Sequence, residues 1–212
     1  PTHTVPLSLP DARPICHGGL SKIVVDDPIT AGRLEKDLQL LDALPPGGVE
    51  RAPTSSDVFE LQGVADEVAG LMNAQVSLSG GGSLIIEETS AVTTIDVNTG
   101  GAGAGGGRAG DVALATNLQA MKETARQMRL RNLAGLIVID FVSMSGKDGP
   151  GRVVTALKEA LALDPASPQV LGTTRGGLLE VTRPRRRPPR SEAHTSELQS
   201  PMYLVCRLLL EK

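Results

Sequence analysis

Aromatic residues are nearly absent from this chain, with two Phe, one Tyr and no Trp in 212 residues. Phe59, Phe141 and Tyr203 are too few to build a base-stacking platform, so any grip on a single-stranded nucleic acid must rest on charge. Cysteine is as scarce. Cys16 and Cys206 lie near opposite ends without metal-ligand spacing, which supports neither a disulfide framework nor a zinc site and points to a reducing, cytoplasmic setting. No apolar run approaches the roughly 18 residues that a membrane span needs. The first twenty residues hold four prolines and no apolar stretch, unlike a secretory signal.

Charge is present, and it is uneven. The net charge of −3 conceals 5 basic against 14 acidic residues over 1–107, and 14 basic against 7 acidic over 108–190. A polyanion responds to the patch it meets rather than to the sum, so the basic second half is compatible with RNA.

Hydrophobic spacing organises the chain into segments. Residues 1–20 form an irregular edge. Ile23–Val25 reads as a strand. A helix is expected over about 31–41, with Leu34, Leu38 and Leu41 on one face and Pro45-Pro46-Gly47-Gly48 behind it as a stop. Spacing of Leu61, Val64, Val68 and Leu71 predicts a second helix over about 57–72. Residues 83–87 and 92–98 read as strands, and 100–107 as a glycine-rich loop. A long helix is expected over about 112–129 through Leu114, Leu118, Met121, Ala125 and Met128. Leu136-Ile137-Val138-Ile139 reads as a strand buried on both faces. A helix over about 152–163 and strands at 170–171 and 178–182 complete an α/β layer pattern. Residues 190–200 and 204–212 resemble translated sequencing-adapter DNA, and the native sequence is expected to end near Pro189. His194, Tyr203 and Cys206 would then carry no function.

Two aspartates stand where chemistry is often found. The two-residue period of a strand puts Asp96 and Asn98 on one face, and Asp140 closes the strand Ile-Val-Ile-Asp. In open α/β sheets, ligands gather outside the carboxyl ends of strands. A crossover through the long helix would bring the two strands into one sheet, where their carboxylates converge. Mg²⁺ suits such a pair, because it takes one or two carboxylates and keeps several waters, with Asn98 orienting a ligand from behind. The plainer alternative is that each aspartate caps a turn.

Ala91-Val92-Thr93-Thr94-Ile95-Asp96-Val97-Asn98-Thr99-Gly100, Thr116-Asn117-Leu118 and the run from Ala125 to Phe141 closely resemble the catalytic segment of the ribonuclease E/G family. Ser79 to Ser83 and Arg175-Gly176-Gly177-Leu178-Leu179-Glu180 are similar to its flanking motifs. The resemblance implies a mixed α/β sheet with flanking helices. Residues 75–189 would be a deoxyribonuclease-I-like catalytic subdomain, and 21–74 part of a ribonuclease-H-like subdomain. It implies Asp96 and Asp140 as Mg²⁺ ligands and Asn98 as their hydrogen-bonding neighbour. The implied activity is hydrolysis of single-stranded RNA to 5′-phosphate and 3′-hydroxyl ends, in a bacterial cytoplasm, with a homo-oligomer allowed in the complete protein. Departures include a loop over 101–107 richer in glycine than is usual for the family, and Ala166-Ser167-Pro168 in place of a basic stretch.

Arg126, Arg129, Arg131 and Arg183 are candidate RNA contacts. The first three also suit a solvated helix end whose dipole favours cations. Arg183 opens the basic run to Pro188, which serves equally as a mobile arm or a plain tail. Gly101-Ala102-Gly103-Ala104-Gly105-Gly106 matches a dinucleotide fingerprint, but no acidic residue ends the next strand at the required distance. A nucleotide-binding domain and a non-catalytic RNA-binding remnant are therefore the competing classes.

Overall fold

Three consecutive β-branched residues, Ile23–Val25, form the first strand, β1, and all three are buried. The computed structural model describes residues 21–53, 57–100, 109–144 and 148–186. The irregular start, the glycine loop at 101–107 and the adapter-like tail lie outside them. The chain divides into two compact units between Gly70 and Leu71.

In the first unit, β1 pairs in parallel with β2 (Val49–Arg51). Helix α1 (Pro28–Leu40) joins them. It starts where the Asp27 carboxylate accepts the Thr30 N–H at 2.7 Å, and Pro28 occupies the first turn, where its missing N–H costs nothing. Ala31 and Leu38, with Leu34 beside them, pack on Ile23 and Val25. Val24 packs separately with Ala52 and Val58. The single helix expected over 57–72 is instead two short ones, α2 (Val58–Leu61) and α3 (Ala65–Gly70). Gly63 stands between them at φ +67°, a left-handed conformation that ends a helix. Leu61, expected on the apolar face, is 52% exposed.

The second unit is a six-stranded sheet in the order β3-β4-β5-β6-β8-β7. Its strands are β3 (Gln75–Ser77), β4 (Ser83–Glu88), β5 (Val92–Asn98), β6 (Gly135–Asp140), β7 (Gln169–Thr173) and β8 (Leu179–Arg183). Only β5 and β6 are parallel. The crossover between them is α4 (Ala109–Leu130), and α5 (Gly149–Leu161) leads from β6 towards β7. Leu84, Ile86, Ile95, Val97, Ile137, Ile139, Leu179 and Val181 alternate along their strands onto one face and share a single core with both helices. The expected α/β architecture, a mixed sheet with flanking helices, is what the chain adopts.

The other face is less covered, which corrects the expectation for β6. Leu136 is 38% exposed and Val138 is half-buried. Both helices return to the same side of the sheet, so only alternate residues of this apolar strand are fully enclosed. Among the described residues, no helix is long and apolar enough to cross a membrane.

Candidate active site

Strand register decides the central geometry. In the parallel pair β5–β6, Asp96 stands directly opposite Asp140. Partners on neighbouring strands point to one face and lie about 4.8 Å apart along the hydrogen-bonding direction. Both aspartates are exposed, on the face away from the helices and at the carboxyl edge of both strands. The Asn98 Nδ2 donates to Asp96 Oδ2 at 2.8 Å. Asp140 has no hydrogen bond or ion pair among the described residues. Two carboxylates so placed repel each other, and a cation between them relieves that repulsion.

Polar groups from α4 fix the backbone around this pair. Asn117 is fully buried. Its Nδ2 donates to the Val142 carbonyl at 2.8 Å, and its Oδ1 accepts the Val142 N–H at 3.0 Å. The N–H and the carbonyl of Val142, two residues beyond Asp140, are thereby both held. Gln119 performs a similar task on the preceding hairpin, where its Oε1 accepts the Gly80 N–H at 3.0 Å and its Nε2 donates to Ser79 Oγ. Gly100, just past β5, has φ +61°, and a Cβ there would collide with the Gly81 carbonyl oxygen. The Ser79–Gly82 turn is therefore pressed against the end of the aspartate strand. Asn117 was legible only as part of a family motif. Nothing in its spacing distinguishes a buried clamp from an ordinary polar helix residue.

The four arginines proposed as RNA contacts are placed elsewhere. Arg183 is 2% exposed. Its Nε donates to Asp164 Oδ2 at 2.8 Å, its Nη2 to Asp164 Oδ1 at 3.2 Å, and its Nη1 to Asn132 Oδ1 and the Leu133 carbonyl. Arg131 is 5% exposed and donates to Gln127 Oε1 at 2.7 Å. Burial lowers the pKa of its guanidinium, against the pull of Glu88 and Glu123. Arg126 pairs with Glu123 at 3.1 Å, and Arg129 reaches the Ala160 carbonyl. Arg183 stands opposite Gly135, and the other three close α4 just before β6 begins. All four thus gather at the start of β6, about 16 Å of strand from Asp140. A helix that crosses back over a sheet delivers its last turn to the entrance of the next strand, not to its exit.

Arg175 lies at the correct edge. It is exposed on the turn between β7 and β8, and the pairing Ile139↔Leu179 brings that turn alongside the Asp140 end of β6. Phe141 packs against the core rather than offering a stacking surface.

The donor set fits Mg²⁺ better than zinc. Among the described residues no group of three or more His, Cys, Asp or Glu side chains is poised to hold a metal, whereas a structural zinc site needs four such ligands. Two exposed carboxylates with open solvent around them suit a cation that keeps most of its water.

The model of the ribonuclease E/G family matches residues 9–186. The chain belongs to the ribonuclease E/G family. Ribonuclease G of Escherichia coli is 42% identical over 130 residues, covering 61% of this chain and 26% of that protein. The chloroplastic ribonuclease E/G-like protein of Arabidopsis thaliana is 36% identical over 170 residues, covering 80% of this chain and 17% of its own length. Ribonuclease E of a Nostoc species is 35% identical over 170 residues, covering 79% and 25%. The chain thus spans about a quarter of the length of these ribonuclease E and G relatives.

Proposed function

We propose that this chain carries the catalytic centre of a Mg²⁺-dependent endoribonuclease, which hydrolyses single-stranded RNA to 5′-phosphate and 3′-hydroxyl ends. The observation that carries the reading is the register of Asp96 against Asp140 on adjacent parallel strands, within a chain of the ribonuclease E/G family. Asp96 and Asp140 are the residues that would hold the metal. Bound there, Mg²⁺ supplies positive charge that offsets both carboxylates and polarises a phosphate oxygen.

The chain's own groups do the positioning. Asn98 takes one oxygen of Asp96 and so fixes the direction of the other. Asn117 holds the backbone beyond Asp140. At the aspartate edge, the exposed Arg175 on the β7–β8 turn is our candidate for a phosphate contact, in place of the four arginines at the opposite edge. In the hydrolysis, a water oxygen bonds to phosphorus as the P–O3′ bond breaks, and the departing 3′-oxygen gains a proton. RNA processing and decay in a bacterial cytoplasm is the setting this activity implies.

The test is cleavage of unstructured RNA by a complete version of the protein, with Mg²⁺ and with chelator. Asp96→Ala or Asp140→Ala should abolish the Mg²⁺-dependent rate. Asn98→Ala should lower it about 10–100-fold, as for other outer-shell partners of metal ligands. Unchanged cleavage in both aspartate variants would reject the assignment. RNA binding without any cleavage would leave the competing reading, a non-catalytic remnant.

A further inference from the structure

The first unit is poor in cations. Between residues 21 and 70 it holds Lys22, Arg33, Lys36 and Arg51 against ten carboxylates. Lys22 is paired with Glu50 at 2.6 Å. The other three line one open hollow of about 600 Å³ along α1, together with Gly32, Glu35 and Gln39. None of these three cationic side chains has a hydrogen bond or ion pair among the described residues. On a surface so rich in carboxylates, chance would scatter cations among acidic partners. Three gathered without one repel each other, unless an anion joins them.

The topology explains how they meet. Arg51 ends β2 in register with Val25, so it stands at the carboxyl edge of the parallel pair, from which α1 departs. That edge of a β-α-β unit is a common ligand position. Asp27 already occupies the Thr30 amide at the start of α1, so the grip on an anion falls to side chains. Gly32 leaves the floor open, and a Cβ built there meets nothing within 4 Å. Arginine forks match phosphate oxygens in pairs, and lysine adds a point charge. With Glu35 included, the hollow carries a net charge of about +2, as formal charges at neutral pH count.

We propose that this hollow is a phosphate-binding subsite that holds the backbone of an RNA strand, with Arg33, Lys36 and Arg51 as its contacts. The proposal rests on the reading that RNA is the substrate, but not on where or whether cleavage occurs. It adds grip to the unit that lacks the aspartates.

The test is binding of a labelled single-stranded RNA to the full chain in chelator, so that cleavage plays no part. Changing Arg33, Lys36 and Arg51 together to Gln should weaken binding tenfold or more. It should also flatten the dependence of log affinity on log salt by about 2, since each single-strand phosphate contact contributes roughly 0.7. A control triple in the second unit, Lys122, Arg152 and Lys158 to Gln, removes equal charge and should lose at most about threefold. Gly32→Glu puts a carboxylate into the hollow at a helical site where a longer side chain is tolerated, and should weaken binding several-fold with the fold intact. Equal losses in the two triples, or undiminished binding by Gly32→Glu, would overturn the subsite. Loss of cleavage in the aspartate variants with RNA binding retained would separate this proposal from the catalytic one. Abolished cleavage with an unchanged hollow phenotype would sustain only the latter.

Discussion

The two units are built from the same elements at different scale, and they resist damage differently. The second unit encloses one core of seventeen buried apolar residues, drawn from four strands, the connecting chain and two helices. The first has, among its described residues, two clusters of four and three, set on opposite sides of a two-stranded sheet. A small core has few neighbours over which to spread the loss of one side chain. A large core tolerates no voids, because its packing is continuous. Among the described residues, the continuous core thus lies with the aspartates.

The most severe test of this contrast is the ion pair that closes the second unit. Arg183 and Asp164 have side chains only 1% and 0% exposed. Removing one partner strands the other charge in the interior, which costs about 3–5 kcal/mol. Arg183→Met should therefore destabilise the second unit by about that amount in urea unfolding. A loss below about 1 kcal/mol would show that water reaches Asp164. Such a result would also reopen Arg183 as a surface residue.

Truncating the cores comes next. Leu157→Ala, at a fully buried position of α5, should cost about 3–5 kcal/mol, and Leu38→Ala, 4% exposed in α1, about 2 kcal/mol. Hydrogen exchange read by mass spectrometry on the full chain assigns each loss to its unit. Equal losses would mean that the first unit is packed as tightly as the second.

What could be read from the sequence follows the same division. The strands 83–88 and 92–98 and the helix ending at Leu130 announce themselves, because alternation and helical spacing are clean where one face is buried against a large core. Strand β2, Val-Glu-Arg, has no such signature and exists because β1 offers it an edge. The stripe predicted for α4 holds at Met121, Ala125 and Met128 and is shifted in the first half of the helix. Leu114 and Leu118 are half-buried, while Ala113, Thr116, Asn117 and Ala120 face inward. Small and hydrogen-bonded residues are favoured there because the helix lies close to the sheet, and hydrophobic spacing is blind to them. The aspartates were legible from strand position and motif. The arginines were not, since charge type is visible in a sequence and its burial is not.

Two asparagines separate holding from acting. Asn117→Ala leaves both Val142 peptide groups without partners and should cost about 1–3 kcal/mol of stability, besides slowing cleavage. Asn98 is exposed and its side chain bonds only to Asp96 among the described residues, so its loss should leave the unfolding midpoint in place while cleavage falls. If both variants shifted stability alike, Asn98 would be a turn residue rather than a support for the metal ligand.

The smallest effect lies at the start of α1 in the first unit. Hydrogen bonding from the Thr30 side chain, and next from the Thr30 amide donating at 2.7 Å, holds the Asp27 carboxyl below its ordinary value of 3.8. A carboxyl whose pKa is depressed by folding contributes stability above its unfolded value, and that contribution fades as pH falls through the folded value. Amide exchange at Thr30 should therefore be constant from neutral pH down to about pH 4, after correction for intrinsic rates, and lose protection only below it. Asp27→Asn keeps a cap of similar quality without a titrating group. Its protection at Thr30 should stay flat across the acid range, and parallel acid curves in the two proteins would show that the charge on Asp27 contributes nothing to the helix.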